Sequence, residues 1–238
     1  MRFLAIAGLA ALLVARAAAA QPAHSVYLED LTWTEVRAEA KAGKSIVLVP
    51  IGGTEQSGPH IALGKHNARV RVLAGRIAET LGNALVAPVI AYVPEGSINP
   101  PVGHMRFPGT ITVPDDAFEK TLESAARSFR LHGFRDVFFL GDHGGYQKSL
   151  ERVADRLNQE KGNHRFRAHA LTAYYDASSR GFDELLAARG YTRDEIGVHA
   201  GLADTSLALA LTPSLVRADR ASGPNMGPAD GVQGTQSG

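Results

Sequence analysis

Glu55 and His60, with His66 six residues further on, bring one carboxylate and two imidazoles to a Gly- and Pro-rich loop, Gly52-Gly53-Thr54-Glu55-Gln56-Ser57-Gly58-Pro59-His60, that directly follows an apolar run. A second loop of the same kind, Gly141-Asp142-His143-Gly144-Gly145, follows Asp136-Val137-Phe138-Phe139-Leu140. Acid and imidazole side chains at the end of a buried strand are poor core material and good metal or acid/base chemistry. Glu55, His66 and His143 are hard-to-borderline donors suited to zinc, manganese or iron(II). An ion held there would lower the pKa of a water molecule towards neutrality and polarise a carbonyl oxygen. Each residue also has a plain structural reading. Glu55 could accept backbone N–H bonds in its loop, His66 could cap the following helix, and His143 could hydrogen-bond within its turn.

The elements that must position these loops are legible in the apolar periodicity. Thr32-Trp33-Thr34-Glu35 reads as a capping box opening a helix to Ala42, and residues 46–51 form a buried, β-branched strand. A helix is expected over 67–81, closed by Gly82, then a strand within 84–93 interrupted by Pro88. Residues 94–114, rich in Gly and Pro, read as ordered but irregular. Further on come a helix over 117–131, a strand over 137–140, a helix over 147–160, a strand over 166–174, and helices over 182–189 and 204–211. Strands alternating with helices imply α/β architecture, a mostly parallel sheet covered on both faces. Ligands in such sheets sit beyond the carboxyl ends of the strands, which is where both suspicious loops leave.

The ends and the composition set limits. Met1-Arg2 followed by the apolar stretch to Val14 and by Ala18-Ala19-Ala20 has the pattern of a secretory signal over 1–20. The stretch is too short to span a bilayer. The expectation is an exported protein, periplasmic or secreted, beginning near Gln21 and free of the membrane. One domain is expected over 21–220, with an irregular or frayed tail over 221–238. With no cysteine in the chain, metal ligands have to be His, Asp or Glu. A formal charge of +1 gives no reason to expect nucleic acid as a partner.

Four ordered stretches resemble the creatininase (creatinine amidohydrolase) family. They are Gly52-Gly53-Thr54-Glu55-Gln56-Ser57-Gly58-Pro59-His60-Ile61-Ala62-Leu63-Gly64-Lys65-His66, His104-Met105-Arg106-Phe107-Pro108-Gly109-Thr110, Gly141-Asp142-His143-Gly144-Gly145-Tyr146, and His199-Ala200-Gly201-Leu202-Ala203-Asp204-Thr205-Ser206. The resemblance implies a three-layer α/β/α fold, a homo-oligomer that is often a hexamer, and a metal-dependent hydrolase. The departures are specific. Ser57 stands where the family has a His, His66 where it has a bridging Asp, Gly145 where creatininase has a Glu, and Leu202 where it has another.

What the resemblance implies is therefore a divergent site. One divalent ion per subunit, Zn, Mn or Fe, is expected on Glu55, His66 and His143, with Asp204 as a fourth ligand or a group behind the ligands. Glu55 and His199 are the catalytic candidates, His199 as proton donor to a departing amide nitrogen. His60 and His104 are expected to orient substrate or support the ligands. The expected function is hydrolysis of a C–N bond in a small linear or cyclic amide. The alternatives are a non-catalytic binding protein and an esterase or lactonase using the same site.

Overall fold

The protein is described from a computed structural model that covers residues 25–162, 165–221 and 227–233. The signal expected over 1–20 lies outside these residues. Four strands form one parallel sheet: β1 (Ile46–Ile51), β2 (Ala84–Val86), β3 (Asp136–Gly141) and β4 (Arg167–Ala170), in the order β2-β1-β3-β4. β1 and β3 are paired along their whole length, from Ile46 opposite Asp136 to Ile51 opposite Gly141, so their carboxyl ends finish level. That register sets the Glu55 and His143 loops side by side.

Helices cover both faces. They are α1 (Trp33–Lys41), α2 (Lys65–Leu81), α3 (Asp115–Leu131), α4 (Gln147–Asn158), α5 (Thr172–Ser178), α6 (Arg180–Ala188), α7 (Arg193–Ile196) and α8 (Leu202–Leu211). Alternate residues of β1 point to opposite sides, as the strand period requires. Val47, Val49 and Ile51 join Val137 and Phe139 against Phe118, Leu122 and Ala126 of α3 and Leu150, Val153 and Leu157 of α4. Leu48, with Val86 and Leu140, packs on Val70, Ala74 and Ala78 of α2. The four-residue spacing in α2 and α3 puts each set on one helix face. The result is the expected three-layer α/β/α arrangement.

The Thr32–Glu35 capping box is present, with Glu35 Oε2 accepting from the Thr32 N–H at 2.6 Å. α3, α6 and α8 each begin two residues before their expected starts at 117, 182 and 204, α6 ends at Ala188 and α4 at Asn158. Other expectations need correction for a specific reason. α2 begins two residues early, at Lys65, because Asn67 uses its side chain elsewhere: Oδ1 accepts from the Gly53 N–H at 3.0 Å and Nδ2 donates to Thr54 at 3.2 Å. The strand expected over 166–174 stops at Ala170, and Thr172 already starts α5. The tail is irregular, but its described part, 227–233, is not frayed. Val232 is fully buried, and Gln233 exchanges backbone hydrogen bonds with His199, its N–H reaching His199 O at 2.9 Å.

Candidate metal and acid–base site

A cleft of about 410 Å³ opens at the carboxyl ends of β1 and β3, lined by Glu55, Lys65, His104, His143, His199 and Asp204 among others. Tyr146 fixes the two loops beneath it. Its hydroxyl faces the carbonyls of Ile51 and Gly52 at 2.8 and 2.6 Å and accepts from the N–H groups of Asp142 and His143, both at 3.1 Å. One buried phenol thus ties the end of β1 to the start of the His143 turn. The segment carrying His104 is tied in turn to the Glu55 loop. The Gln56 N–H donates to Thr110 Oγ1 at 3.1 Å and the Ile111 N–H to Thr54 O at 2.9 Å.

Glu55 is fully buried, and its two oxygens have different surroundings. Oε1 meets His66 Nε2 at 2.8 Å, with Lys65 Nζ and His199 Nδ1 each at 3.8 Å. Oε2 has no hydrogen-bond partner among the described residues, yet His104 Nε2 and His143 Nε2 stand 3.3 and 3.4 Å away. These three ligand atoms lie within 4.8 Å of one another. Ligands at about 2.0–2.2 Å around a tetrahedral ion are spaced by roughly 3.4 Å, so the set fits a divalent cation. Burial alone would raise the pKa of Glu55. The His66 hydrogen bond and the charges of His66, Lys65 and His143 overcome it and hold the carboxylate ionised far below its usual range. Burial lowers His143 to about 4, so the ring is neutral near pH 7. Ligation through both Nε2 atoms needs the ring protons on Nδ1. A turn of the Gln56 amide, whose Nε2 is 2.8 Å from His104 Nδ1, supplies the first with an acceptor and gives up the 3.0 Å bond that Oε1 accepts from the Gly58 N–H. The second gives up a 3.2 Å contact from the Gly145 N–H.

The structure brings Glu55, His66, His143, Asp204 and His199 to one cleft, but in different roles. His66 has both nitrogens facing carboxylates, Nε2 to Glu55 and Nδ1 to Asp142 Oδ2 at 2.7 Å, which leaves neither directed towards the Glu55 Oε2 side. Asp204 accepts from Lys65 Nζ at 2.6 Å, from Arg69 Nη1 at 3.3 Å and from the Ala200 N–H at 2.9 Å. The last contact spans Ala200, a non-glycine residue at φ 53° next to His199. His199 Nε2 reaches the Gln56 carbonyl at 2.9 Å, so that nitrogen carries the proton and Nδ1 faces Glu55. Burial lowers the His199 ring to about 4. His60 is buried against Thr205 Oγ1 at 2.9 Å, outside the cleft lining.

Lys65, Arg69, Asp142 and Glu95 are the site residues that sequence reasoning passed over, and His104 is the one it placed in a lesser role. Lys65 and Arg69 were findable as cations one turn apart at the start of a helix, where the dipole disfavours positive charge unless carboxylates answer it. Here Asp204 answers both, and Asp142 takes Arg69 Nε at 2.7 Å. Glu95 sits in irregular chain with no periodic signal. Burial and the neighbouring Glu55 carboxylate raise its carboxyl to about 9.

Comparison with known proteins places these features in context. The family model Creatininase, described as creatinine amidohydrolase, matches residues 29–237. Creatinine amidohydrolase of Pseudomonas putida is 29% identical over 82% of this chain and 75% of its own length. Mycofactocin precursor peptide peptidase of Mycobacterium ulcerans is 31% identical over 76% of this chain, and the match spans 64% of that protein. Solved creatininase structures, one described as a manganese form, superpose with a TM-score of 0.73 at 27% identity, covering 89% of this chain and 88% of theirs. A mutant described as Zn–Zn type gives a TM-score of 0.72.

Proposed function

This chain belongs to the creatininase family, whose relatives include the hydrolases creatinine amidohydrolase and mycofactocin precursor peptide peptidase, and from that premise we propose a metal-dependent amidohydrolase that cleaves a small linear or cyclic amide. The observation that carries the reading is Glu55 Oε2, buried without a hydrogen-bond partner among the described residues and faced by His104 Nε2 and His143 Nε2 at 3.3 and 3.4 Å. Glu55, His104 and His143 would hold one ion, with manganese and zinc the first to try. When bound, such an ion lowers the pKa of water and polarises a carbonyl oxygen.

The chain's own groups do the rest. His66 and Lys65 engage Oε1, so Glu55 is oriented with Oε2 towards the two imidazoles. Asp142, itself held by Arg69 Nε and by the Tyr174 hydroxyl at 2.8 Å, fixes the His66 ring from the other side. His199 is neutral near pH 7, its Nε2–H is anchored on Gln56 O, and Nδ1 is free to accept a proton. It takes that proton from the attacking water and passes it to the departing nitrogen, which cannot leave as an anion. Lys65 adds a fixed positive charge on the Oε1 side of Glu55, paired with Asp204 Oδ2 at 2.6 Å, and so holds both carboxylates ionised in the cleft.

We also propose that residues 1–20 direct export and that the protein works as a homo-oligomer. N-terminal sequencing of the periplasmic protein and light scattering after size exclusion test these two points.

The test of the activity uses the full chain stripped of metal by chelation and reloaded with Mn²⁺ or Zn²⁺, assayed on small amides, formamides and lactones. Amide hydrolysis should require the ion. Glu55→Gln and His143→Ala should each lower kcat/KM by at least about 100-fold, beyond what loss of a group behind a ligand costs. His199→Gln should lower kcat while ion affinity is kept. A chain that retains no ion, or that hydrolyses equally well without one, refutes the proposal. Hydrolysis of lactones alone would move it to ester chemistry.

A further inference from the structure

Glu95 reaches the same place from the opposite side, and no step above uses it. Its side chain is fully buried, and neither carboxyl oxygen has a hydrogen-bond partner among the described residues. Oε2 lies 3.8 Å from His143 Nε2, the same nitrogen that is 3.4 Å from the unpartnered Glu55 Oε2. The approach is built rather than accidental. The Glu95 N–H is pinned to Thr112 Oγ1 at 2.9 Å, and Gly53, at φ 153°, leaves the room. A Cβ there would stand 2.6 Å from Glu95 Oε1.

Two buried carboxyl groups side by side are reconciled either by a shared proton or by a cation between them. Lys65 does not serve, since its ammonium lies on the Oε1 side of Glu55. Glu95 falls outside the set of ligand atoms that lie within 4.8 Å of one another, but its Oε2 is 3.8 Å from His143 Nε2, a member of that set, so a divalent ion on Glu55 Oε2 and His143 Nε2 would draw it in. We infer that Glu95 is a fourth protein ligand, completing with Glu55, His104 and His143 a site of two carboxylates and two imidazoles. Two negative charges then balance one divalent ion. This rests on the metal reading proposed above and adds a residue to it.

The competing account makes Glu95 a neutral acid that shares a proton with Glu55, a role in which glutamine is a fair substitute. Glu95→Gln therefore separates the two. Titration calorimetry of the chelator-stripped full chain with Mn²⁺ and with Zn²⁺ gives affinity, and thermal unfolding with and without ion gives an independent readout. If Glu95 is a ligand, Glu95→Gln weakens ion binding by about tenfold or more and shrinks the ion-induced rise in Tm. The metal-free variant should unfold no lower than the metal-free parent, because neither Glu95 oxygen has a hydrogen bond to lose among the described residues. Parental ion affinity in Glu95→Gln overturns the inference while leaving the metal reading intact. Absence of ion binding by the parent chain overturns both. If the Gln variant does not fold, Glu95→Asp keeps the charge but withdraws it by one methylene, and parental affinity there is equally fatal.

Discussion

On the outer face of α3 and α4, Glu119, Glu123 and Glu160 meet Arg127, Arg130, Arg152 and Arg156. At the carboxyl edge of β1 and β3, Lys65 and Arg69 meet Asp142 and Asp204. The contacts are equally short: Arg156 Nη2 to Glu119 Oε2 and Arg69 Nε to Asp142 Oδ2 are both 2.7 Å. The surroundings are opposite. The Arg156 side chain is 44% exposed, Arg69 only 9% and Asp142 not at all. Water can replace any partner lost from the outer array, so its links are individually dispensable. Water cannot do so at the inner cluster, where removing one partner leaves a buried charge unanswered. The inner cluster is also directional. It fixes His66 between Asp142 and Glu55, and through His66 it sets which oxygen of Glu55 turns towards His104 and His143.

The difference is broken most severely at Arg69. Arg69→Met deprives Asp142 and Asp204 of a cation at once, and the expected loss of stability is about 3–5 kcal/mol, the range for a broken buried pair. Urea unfolding measures it. Amide hydrolysis in the fraction that still folds should fall as well, because the Asp142–His66–Glu55 chain loses its anchor. A loss below about 1 kcal/mol would mean that the inner cluster behaves like the outer one.

Asp204 sharpens the comparison with pH. Burial alone would raise its pKa, but Lys65, Arg69 and His66 outweigh burial and hold it well below the ordinary value. The unfolded chain titrates this carboxyl near 3.9. A depressed folded pKa means that the unfolded state binds more protons in the acid range. The stabilisation is therefore complete above about pH 5 and is lost as pH falls through 4 and below. Asp204→Asn should cost about 2–3 kcal/mol near pH 7, somewhat less than Arg69→Met because its side chain keeps 18% exposure. The gap to the parent should then narrow steadily from pH 5 to pH 3 in urea titrations. A constant gap across that range would assign Asp204 a role of shape or hydrogen bonding, not of charge.

The same contrast explains what could be read in the sequence. β1 was legible to the residue because every position from Ile46 to Ile51 is apolar and bounded by polar or Gly neighbours. The Thr32 cap was legible because both of its partners are local. α2 was placed two residues late because Asn67 looks like a cap, whereas its amide is spent on Gly53 and Thr54, contacts across 14 and 13 residues. That shift also hid the fact that Lys65, His66 and Arg69 share one helix turn. The strand expected over 166–174 runs on too far because the alternation continues to Tyr174, whereas the strand ends at Ala170 and Tyr174 belongs to α5 and donates to Asp142. Which imidazole faces the open oxygen of Glu55 depends on separations of 49 residues to His104 and 88 to His143, from the numbering. No local pattern encodes those distances. His66, the nearest in sequence, turns out to hold the other oxygen.

The outer array supplies the smallest effect and the control. Arg156 Nε meets Glu123 Oε1 at 2.7 Å and Nη2 meets Glu119 Oε2 at 2.7 Å, so by geometry alone it matches Arg69. If short contacts set the energy, Arg156→Ala would cost as much as Arg69→Met. If burial sets it, the cost is within about 1 kcal/mol, since Glu119 and Glu123 keep Arg152 and Arg127 as partners and water reaches the rest. The small remainder should also vanish between about 0.1 and 1 M salt, as the Debye length shrinks from about 10 to 3 Å. The Arg69→Met deficit should persist, because mobile ions do not enter the space between Arg69 and Asp142. Parallel urea titrations of the two variants at low and high salt read both quantities in one experiment. A salt-insensitive loss of 3 kcal/mol or so at Arg156 would show that geometry, and not exclusion of water, governs charge pairing in this fold.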